Sequence, residues 1–289
     1  MHSLIEMIKR AHKIEDVLNV ANFKAEFNNI MKQIHPDTCN EAGASDATSK
    51  MNIWKDEYEN GKAFTDDIGT FKTNGYWVDF KSSIPNLKQS VEHYNMLQRL
   101  TSDADIHFKK YLPGNCSLLP DGTYRFSFEK RAIPLSGLTL PQEHVNWVLN
   151  RLLEYCAYLS QTGLVHGGLN PESVFIIPEN HGIQVVSFYH LARKNTKIST
   201  LSGRYINWYP AQVLSTKVAT SLIDIECVKH IATYLLGEKS GNAVKLRKTH
   251  NEDFINFLLT QHDNAWECLT QYKDLLRKNF EKKFYPLTI

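Results

Sequence analysis

The 289 residues predict an α+β chain: a short helical segment followed by a larger unit that mixes strands and helices. Three observations predict it. Apolar stripes at helical spacing flank a small, polar loop before residue 61. Asn74-Gly75 lies between two β-prone runs, a strong hairpin signal. A long apolar stripe at helical spacing covers residues 141–160. Composition fits a globular chain, with 42% hydrophobic and 22% charged residues. A formal net charge of +2 gives no bulk attraction to nucleic acid or acidic membrane, so neither is an expected partner.

No secretory signal is expected, because Glu6, Lys9 and Arg10 interrupt the first apolar residues. No apolar run approaches the ~20 residues that span a bilayer. Cys39, Cys116, Cys156, Cys227 and Cys268 are scattered and form no CxxC, so free thiols in a reducing cytoplasm are expected and a metal site is not.

At the N-terminus, residues 3–19 read as a first helix, with Leu4, Ile5, Ile8, Val17 and Leu18 apolar. Residues 22–34 place Phe23, Phe27, Ile30, Met31 and Ile34 on one helical face. His35-Pro36-Asp37 ends that helix, since proline disfavours helix in the residue before it. A polar loop, residues 38–48, leads to a helix over 46–59 with Met51, Trp54 and Tyr58 as its stripe and Gly61 as its stop. An amphipathic helix, an HPD tripeptide, a loop and a helix ending in WKDEYENG resemble a J-domain. That resemblance implies a seventy-kilodalton heat-shock chaperone as partner. It makes His35, Pro36 and Asp37 the tripeptide that stimulates the chaperone's ATPase, with Lys24 and Lys32 the remaining basic face. Glu26, Asn28 and Asn29 leave that face less positive than is usual in the family.

From Lys62 the pattern changes. Residues 69–73 and 76–81 read as a hairpin around Asn74-Gly75. A helix over 86–100 follows, carrying Val91, Tyr94, Leu97 and Leu100. Strands are expected over 106–112 and, after the turn Pro120-Asp121-Gly122, over 123–128. Residues 130–139 read as a connector into a helix over 141–160, with Pro141 in its first turn and Gly163 at its exit. Beyond it come LVHGGLNPESVFII, a turn at 178–182, and IQVVSFYHLAR.

This order resembles the catalytic core of the protein-kinase fold, whose template reads H-R-D-L-K-P-E-N, strand, turn, strand, D-F-G. WYPAQVL at 208–214 is similar to an APE-type motif, and residues 221–237 resemble the buried helix that opens with an aspartate, Asp224. HGGLNPE is similar also to small-molecule phosphotransferases. The resemblance implies a bilobal kinase-like fold over 62–289, with a small lobe at about 62–132 and a large lobe at about 133–289, after a J-domain-like hairpin at 1–61. It also implies which functional groups are missing. Gly168 stands where the substrate-orienting carboxylate belongs, and Ser173 and Ser187 stand at the two metal-binding positions. Tyr189 replaces the DFG glycine. Phosphoryl transfer is positioning plus charge neutralisation, and hydroxyls are poor magnesium ligands, so a pseudokinase is expected. Lys81 and Glu92 fall where the phosphate-pairing lysine and its glutamate belong, as a remnant of nucleotide binding. No glycine-rich loop stands before them, and Asp66 and Asp67 in its place would repel phosphate, so no ATP or other cofactor is expected. The resemblance gives Asp224 a structural role, holding the catalytic-loop backbone; His166 reads as a packed histidine.

The function expected is a non-enzymatic adaptor that recruits the chaperone and binds a client or partner protein through the pseudokinase. Two alternatives stand beside it. One is a chaperone inhibitor or decoy. The other is an active atypical transferase in which Glu172, Asp224 or His190 acts as a substitute base.

Overall fold

The structure, a computed structural model, describes residues 4–289. The chain divides into two compact units. One holds the N-terminal stretch to Ala63 with Lys72–Asn74 and Ile289; the other holds Phe64–Phe71 and Gly75–Thr288.

The N-terminal unit is built on α1 (Leu4–Arg10), α2 (Phe23–Ile34) and α3 (Ala44–Asn60). Phe23, Phe27, Ile30 and Ile34 of α2 are buried with Ile5, Ile8, Ala47 and Met51 in one core. The single first helix expected over 3–19 does not form; Ser3 lies outside the described residues. α1 stops at Arg10 because other side chains satisfy the backbone there. Lys50 Nζ donates to the carbonyls of Lys9 and Ala11, and Asp16 Oδ2 accepts from the amides of His12 and Lys13. Lys13 is extended, and two short 3-10 turns, Ile14–Asp16 and Val20–Asn22, complete the connection.

A five-stranded sheet follows in sequence. Its strands are β1 (Lys62–Thr65), β2 (Thr70–Thr73), β3 (Trp77–Lys81), β4 (Asn115–Leu118) and β5 (Thr123–Ser127), in the order β1-β2-β3-β5-β4. The expected hairpin is present as β2 and β3. α4 (Leu87–Gln98) follows. The strand expected over 106–112 is instead α5 (Asp103–Phe108) and a 3-10 turn, Lys109–Tyr111. A reciprocal cap wins over β propensity. Ser102 Oγ accepts from the Asp105 amide at 3.2 Å, and Asp105 Oδ2 accepts from the Ser102 amide at 2.7 Å. Asp105 also accepts from Tyr158, and Phe108 stacks on Tyr155. The strand that pairs with β5 lies one step later, as β4.

The connector at 130–139 contains β6 (Ile133–Pro134), and the long helix is α6 (Gln142–Gln161), with Pro141 as its N-cap. Then come β7 (Leu164–Val165), β8 (Val174–Ile177), β9 (Gly182–Val185) and β10 (Ala192–Arg193). β8 is central in β6-β8-β9, and β10 pairs with β7. The remaining helices are α7 (Ala211–Thr216), α8 (Ser221–Leu235), α9 (Glu252–Leu259) and α10 (Ala265–Asn279). Val145, Val148, Leu149, Leu152 and Leu153 of α6 and Ile223, Ile225 and Val228 of α8 are fully buried. Such burial makes these two helices the platform for the loop between β7 and β8. The larger unit is thus a mixed α+β body, consistent with the element order of a two-lobed kinase-like fold. Among the described residues no helix is long and apolar enough to cross a membrane. The five cysteines are free.

Candidate functional site

The loop after β7 is held from below by Asp224 of α8. Its two oxygens accept from the amides of His166 (2.8 Å) and Gly167 (2.9 Å). Burial pushes the Asp224 carboxyl up to about 7 against the pull of those amides. Gly167 has φ +78°, and a Cβ there would lie 2.6 Å from the His190 carbonyl oxygen, so only glycine fits. Tyr209 ties the loop from the side, donating to the Gly167 carbonyl at 2.6 Å while accepting from the Ser202 amide at 3.0 Å. His166 is buried between Tyr155 and Phe188. Burial, reinforced by His190, pushes its pKa down to about 3, which makes it a neutral packing group.

Gly168 is occupied space. A Cβ on it would meet the His190 ring at 2.4 Å. The imidazole of His190 therefore fills the space beside Gly168. Its Nδ1 pairs with Thr200 Oγ1 at 2.9 Å and its Nε2 with Asp67 Oδ2 at 3.3 Å. A carboxylate only accepts, so Nε2 carries a proton. Asp67 also accepts from Ser202 Oγ at 2.8 Å and from Asn170 Nδ2 at 3.4 Å. The turn between β1 and β2 thus inserts a carboxylate into the loop.

Neither expected metal position carries a carboxylate. Ser173 Oγ accepts from the Asn170 amide and donates to the Asn170 carbonyl. Ser187 is buried, next to Asp66. Asp66 Oδ1 accepts from the amides of Ile68 and Gly69 at 2.8 and 3.1 Å, while Oδ2 is buried without a partner. Burial pushes the Asp66 carboxyl up to about 6. Among the described residues no group of three or more His, Cys, Asp or Glu is arranged to hold a metal. The donor set does not fit the magnesium of a kinase.

The expected Lys81–Glu92 pair is not formed. Lys81 Nζ bonds Asp121 Oδ2 at 2.9 Å and Thr123 Oγ1 at 2.8 Å, on an exposed face. Glu92 is exposed on α4. In a strand, neighbouring side chains point to opposite faces, and the inward one here is Phe80, fully buried. Phe80 lies 5.2 Å from Phe71, and Phe71 lies 6.1 Å from Phe175 of β8. Phe128 also meets Phe175, at 5.4 Å. Phenylalanine rings pack the space between the five-stranded sheet and β8. The side of α4 that faces the serine-phenylalanine-tyrosine segment carries Ser90 and His93. Ser90 Oγ accepts from the Phe188 amide at 2.9 Å, and His93 Nδ1 bonds the Phe188 carbonyl at 2.7 Å. Glu172 is a strut, accepting from Tyr205 at 2.5 Å and Ser136 at 3.1 Å, with Arg204 3.6 Å away.

In the N-terminal unit, His35, Pro36 and Asp37 are all exposed just after α2, and Lys24 and Lys32 are exposed on that helix. The Asp37 amide donates to His35 Nδ1 at 3.3 Å, and the Asp37 carboxylate lies 3.4 Å from the same nitrogen. Thr38 Oγ1 donates to the Lys32 carbonyl at 2.9 Å and closes the end of α2. The spacing 24, 28, 32 puts both lysines and Asn28 on one face.

Residue types alone gave no sign that His190 meets Asp67 and Thr200, or that Ser202 bonds Asp67. Asp67 is distinguished in the sequence only as one of two acids where a glycine-rich loop was sought.

No family model matches the chain, and no curated protein matches it. Among solved structures, the chain is similar to one described as "Structure of vaccinia related kinase 3", at 13% identity and a TM-score of 0.49. The match covers 75% of this chain and 90% of that one.

Proposed function

We propose that the chain is a non-enzymatic adaptor whose larger unit is a kinase-like pseudokinase that binds a client or partner protein. Its N-terminal unit would recruit a seventy-kilodalton heat-shock chaperone through His35, Pro36 and Asp37, with Lys24 and Lys32 as the basic contact. One observation carries the pseudokinase half: the His190 ring fills the space at Gly168, and Asp67 closes on it. The catalytic position is filled by the chain itself rather than left open to substrate. Of the three candidate bases of the atypical-transferase alternative, Asp224 has both oxygens bonded to backbone, Glu172 is bonded to Tyr205 and Ser136, and His190 is bonded to Asp67 and Thr200, which speaks against that alternative.

The chaperone half is supported by an exposed HPD turn following an amphipathic helix. Its test is the ATP turnover of the chaperone with purified full chain. Wild type is expected to raise turnover and His35→Gln to abolish the rise; equal behaviour of the two sinks the recruiting role. The decoy reading is favoured by one observation, the neutral Asn28 between Lys24 and Lys32 on the exposed face, which weakens electrostatic steering. Chaperone binding without a rise in turnover selects it.

A further inference from the structure

α6 and α10 leave a groove between them in the larger unit. It encloses about 440 Å³, and Trp147 of α6, Leu276 of α10, and Phe280 and Tyr285 of the segment after α10 form its apolar walls. All four are half-buried, so an apolar surface meets solvent there. Cavities of this size and lining seat a large apolar side chain or a small ligand. Trp147 is held firmly. Its ring stacks on His181 (6.0 Å, 18°), the His144 and His181 rings are bonded at 2.7 Å, and Phe284 closes edge-on over His181 at 5.1 Å. Burial, reinforced by His144, pushes His181 down to about 4, so the support behind Trp147 is neutral. Tryptophans are enriched among the anchors of binding surfaces.

The charges around one end of the groove favour an acidic occupant. Lys273, Arg277 and Lys282 line the groove, against Glu143 and Glu281. Arg151 lies 6.0 Å over the Trp147 ring and shares one carboxylate, Glu154, with Lys273, at 3.1 and 3.3 Å. Burial and the repulsion of Arg151 and Lys273, against the pull of Glu154, hold Lys110 below the usual lysine value. Three cations thus gather around one carboxylate, and a further carboxylate brought there relieves their repulsion. Glu143 lies about three helical turns from Glu154, ~16 Å along α6, so it does not offset this end. Arg277 pairs with Asp274 on an exposed face, and Lys282 is in no ion pair among the described residues.

We propose that this groove is where the chain takes its partner protein. An acidic segment of that partner lays one aromatic side chain between Trp147, Phe280 and Tyr285 and its carboxylates against Arg151, Lys273 and Arg277. Ring-to-ring contact supplies the anchor, and the cations set which sequences approach. The proposal rests on the partner-binding part of the reading above. It involves neither the loop after β7 nor the chaperone contact.

The probe is a short fluorescein-labelled peptide with a central phenylalanine flanked by aspartate and glutamate, and the readout is its anisotropy with the full chain. It is expected to bind saturably, and more weakly as salt is raised. Trp147→Ala is expected to weaken binding roughly tenfold or more. Arg277→Glu/Lys282→Glu, at exposed positions, is expected to weaken it by a similar factor. Replacing the phenylalanine by alanine, or the acids by lysine, is expected to abolish it. No binding to the wild type overturns the proposal, as does binding unchanged in either variant. Phosphatidylserine vesicles bound in place of the peptide also overturn it, since the occupant is then a lipid surface. If Trp147→Ala does not fold, the charge-reversed variant and the alanine peptide decide. A partner captured from the native cell equally well by wild type and Trp147→Ala overturns the groove and leaves the adaptor reading intact. Peptide binding as expected with no partner captured defeats the adaptor reading alone.

Discussion

Asp66 and Gly168 show at single-residue scale how the loop after β7 and the β1–β2 turn are packed. The Asp66 carboxyl is raised to about 6 by burial, so ionising it opposes folding. Its contribution to stability is present below about pH 4, the ordinary carboxylate value, and is lost as pH rises through about 6. Asp66→Asn cannot ionise and keeps an acceptor for the Ile68 and Gly69 amides. Its stability relative to wild type is expected to rise across that window, by up to about 3 kcal/mol. Urea unfolding of both proteins between pH 4 and 7 checks it; a constant difference refutes the assignment. At Gly168 the obvious repair of the catalytic loop is expected to fail. Gly168→Asp would drive its Cβ into the His190 ring, at an overpacking cost of about 1–3 kcal/mol. Unfolding midpoints are expected to fall, and Gly168→Asp/Ser187→Asp is expected to show no phosphoryl transfer to a general protein substrate.

At the scale of elements, β3 separates two residues that a sequence reading places side by side. Lys81 sits on the outer face in an ion pair with Asp121, both side chains more than half exposed. Exposed pairs contribute at most about 1 kcal/mol, so Lys81→Ala is expected to leave stability nearly unchanged. Phe80, one residue earlier, is buried among Phe71 and Phe126. Phe80→Ala is expected to cost about 3–5 kcal/mol through lost burial and the cavity left behind. Chemical denaturation of the two variants gives the ratio, and comparable losses would contradict the face assignment. The α5 region is a second case. The apolar residues of 106–112 suit a strand, yet the reciprocal bonds of Ser102 and Asp105 start a helix that seats Phe108 on Tyr155. The sequence contains this signal, Ser102 three residues before Asp105, and a search for caps finds it.

At the scale of the whole molecule, a chain with Asp67 turned onto His190 and phenylalanine rings packed between the five-stranded sheet and β8 is expected not to bind nucleotide. Thermal unfolding with ATP, with and without magnesium, is expected to show no shift. A large magnesium-dependent stabilisation would count against the pseudokinase reading, since any ligand that binds the native state alone raises its stability. The proposed rise in chaperone turnover is expected to survive in the Gly168→Asp and Asp66→Asn variants, which lie in the other compact unit. Loss of that effect in a folded variant would refute independent roles for the two units.

The sequence by itself determined the helices with strong apolar stripes, the HPD tripeptide between two of them, and the absence of acids at Gly168, Ser173 and Ser187. Each of these is local, either a side-chain period or the identity of one residue within a short motif. Tertiary structure decided what replaces the missing groups. Asp67 meets His190 across 123 residues of chain and Ser202 across 135, and no local pattern encodes either meeting. It also decided that Lys81 faces out, because strand alternation reverses the face with a one-residue change in register, and only the packing of Phe80 sets that register.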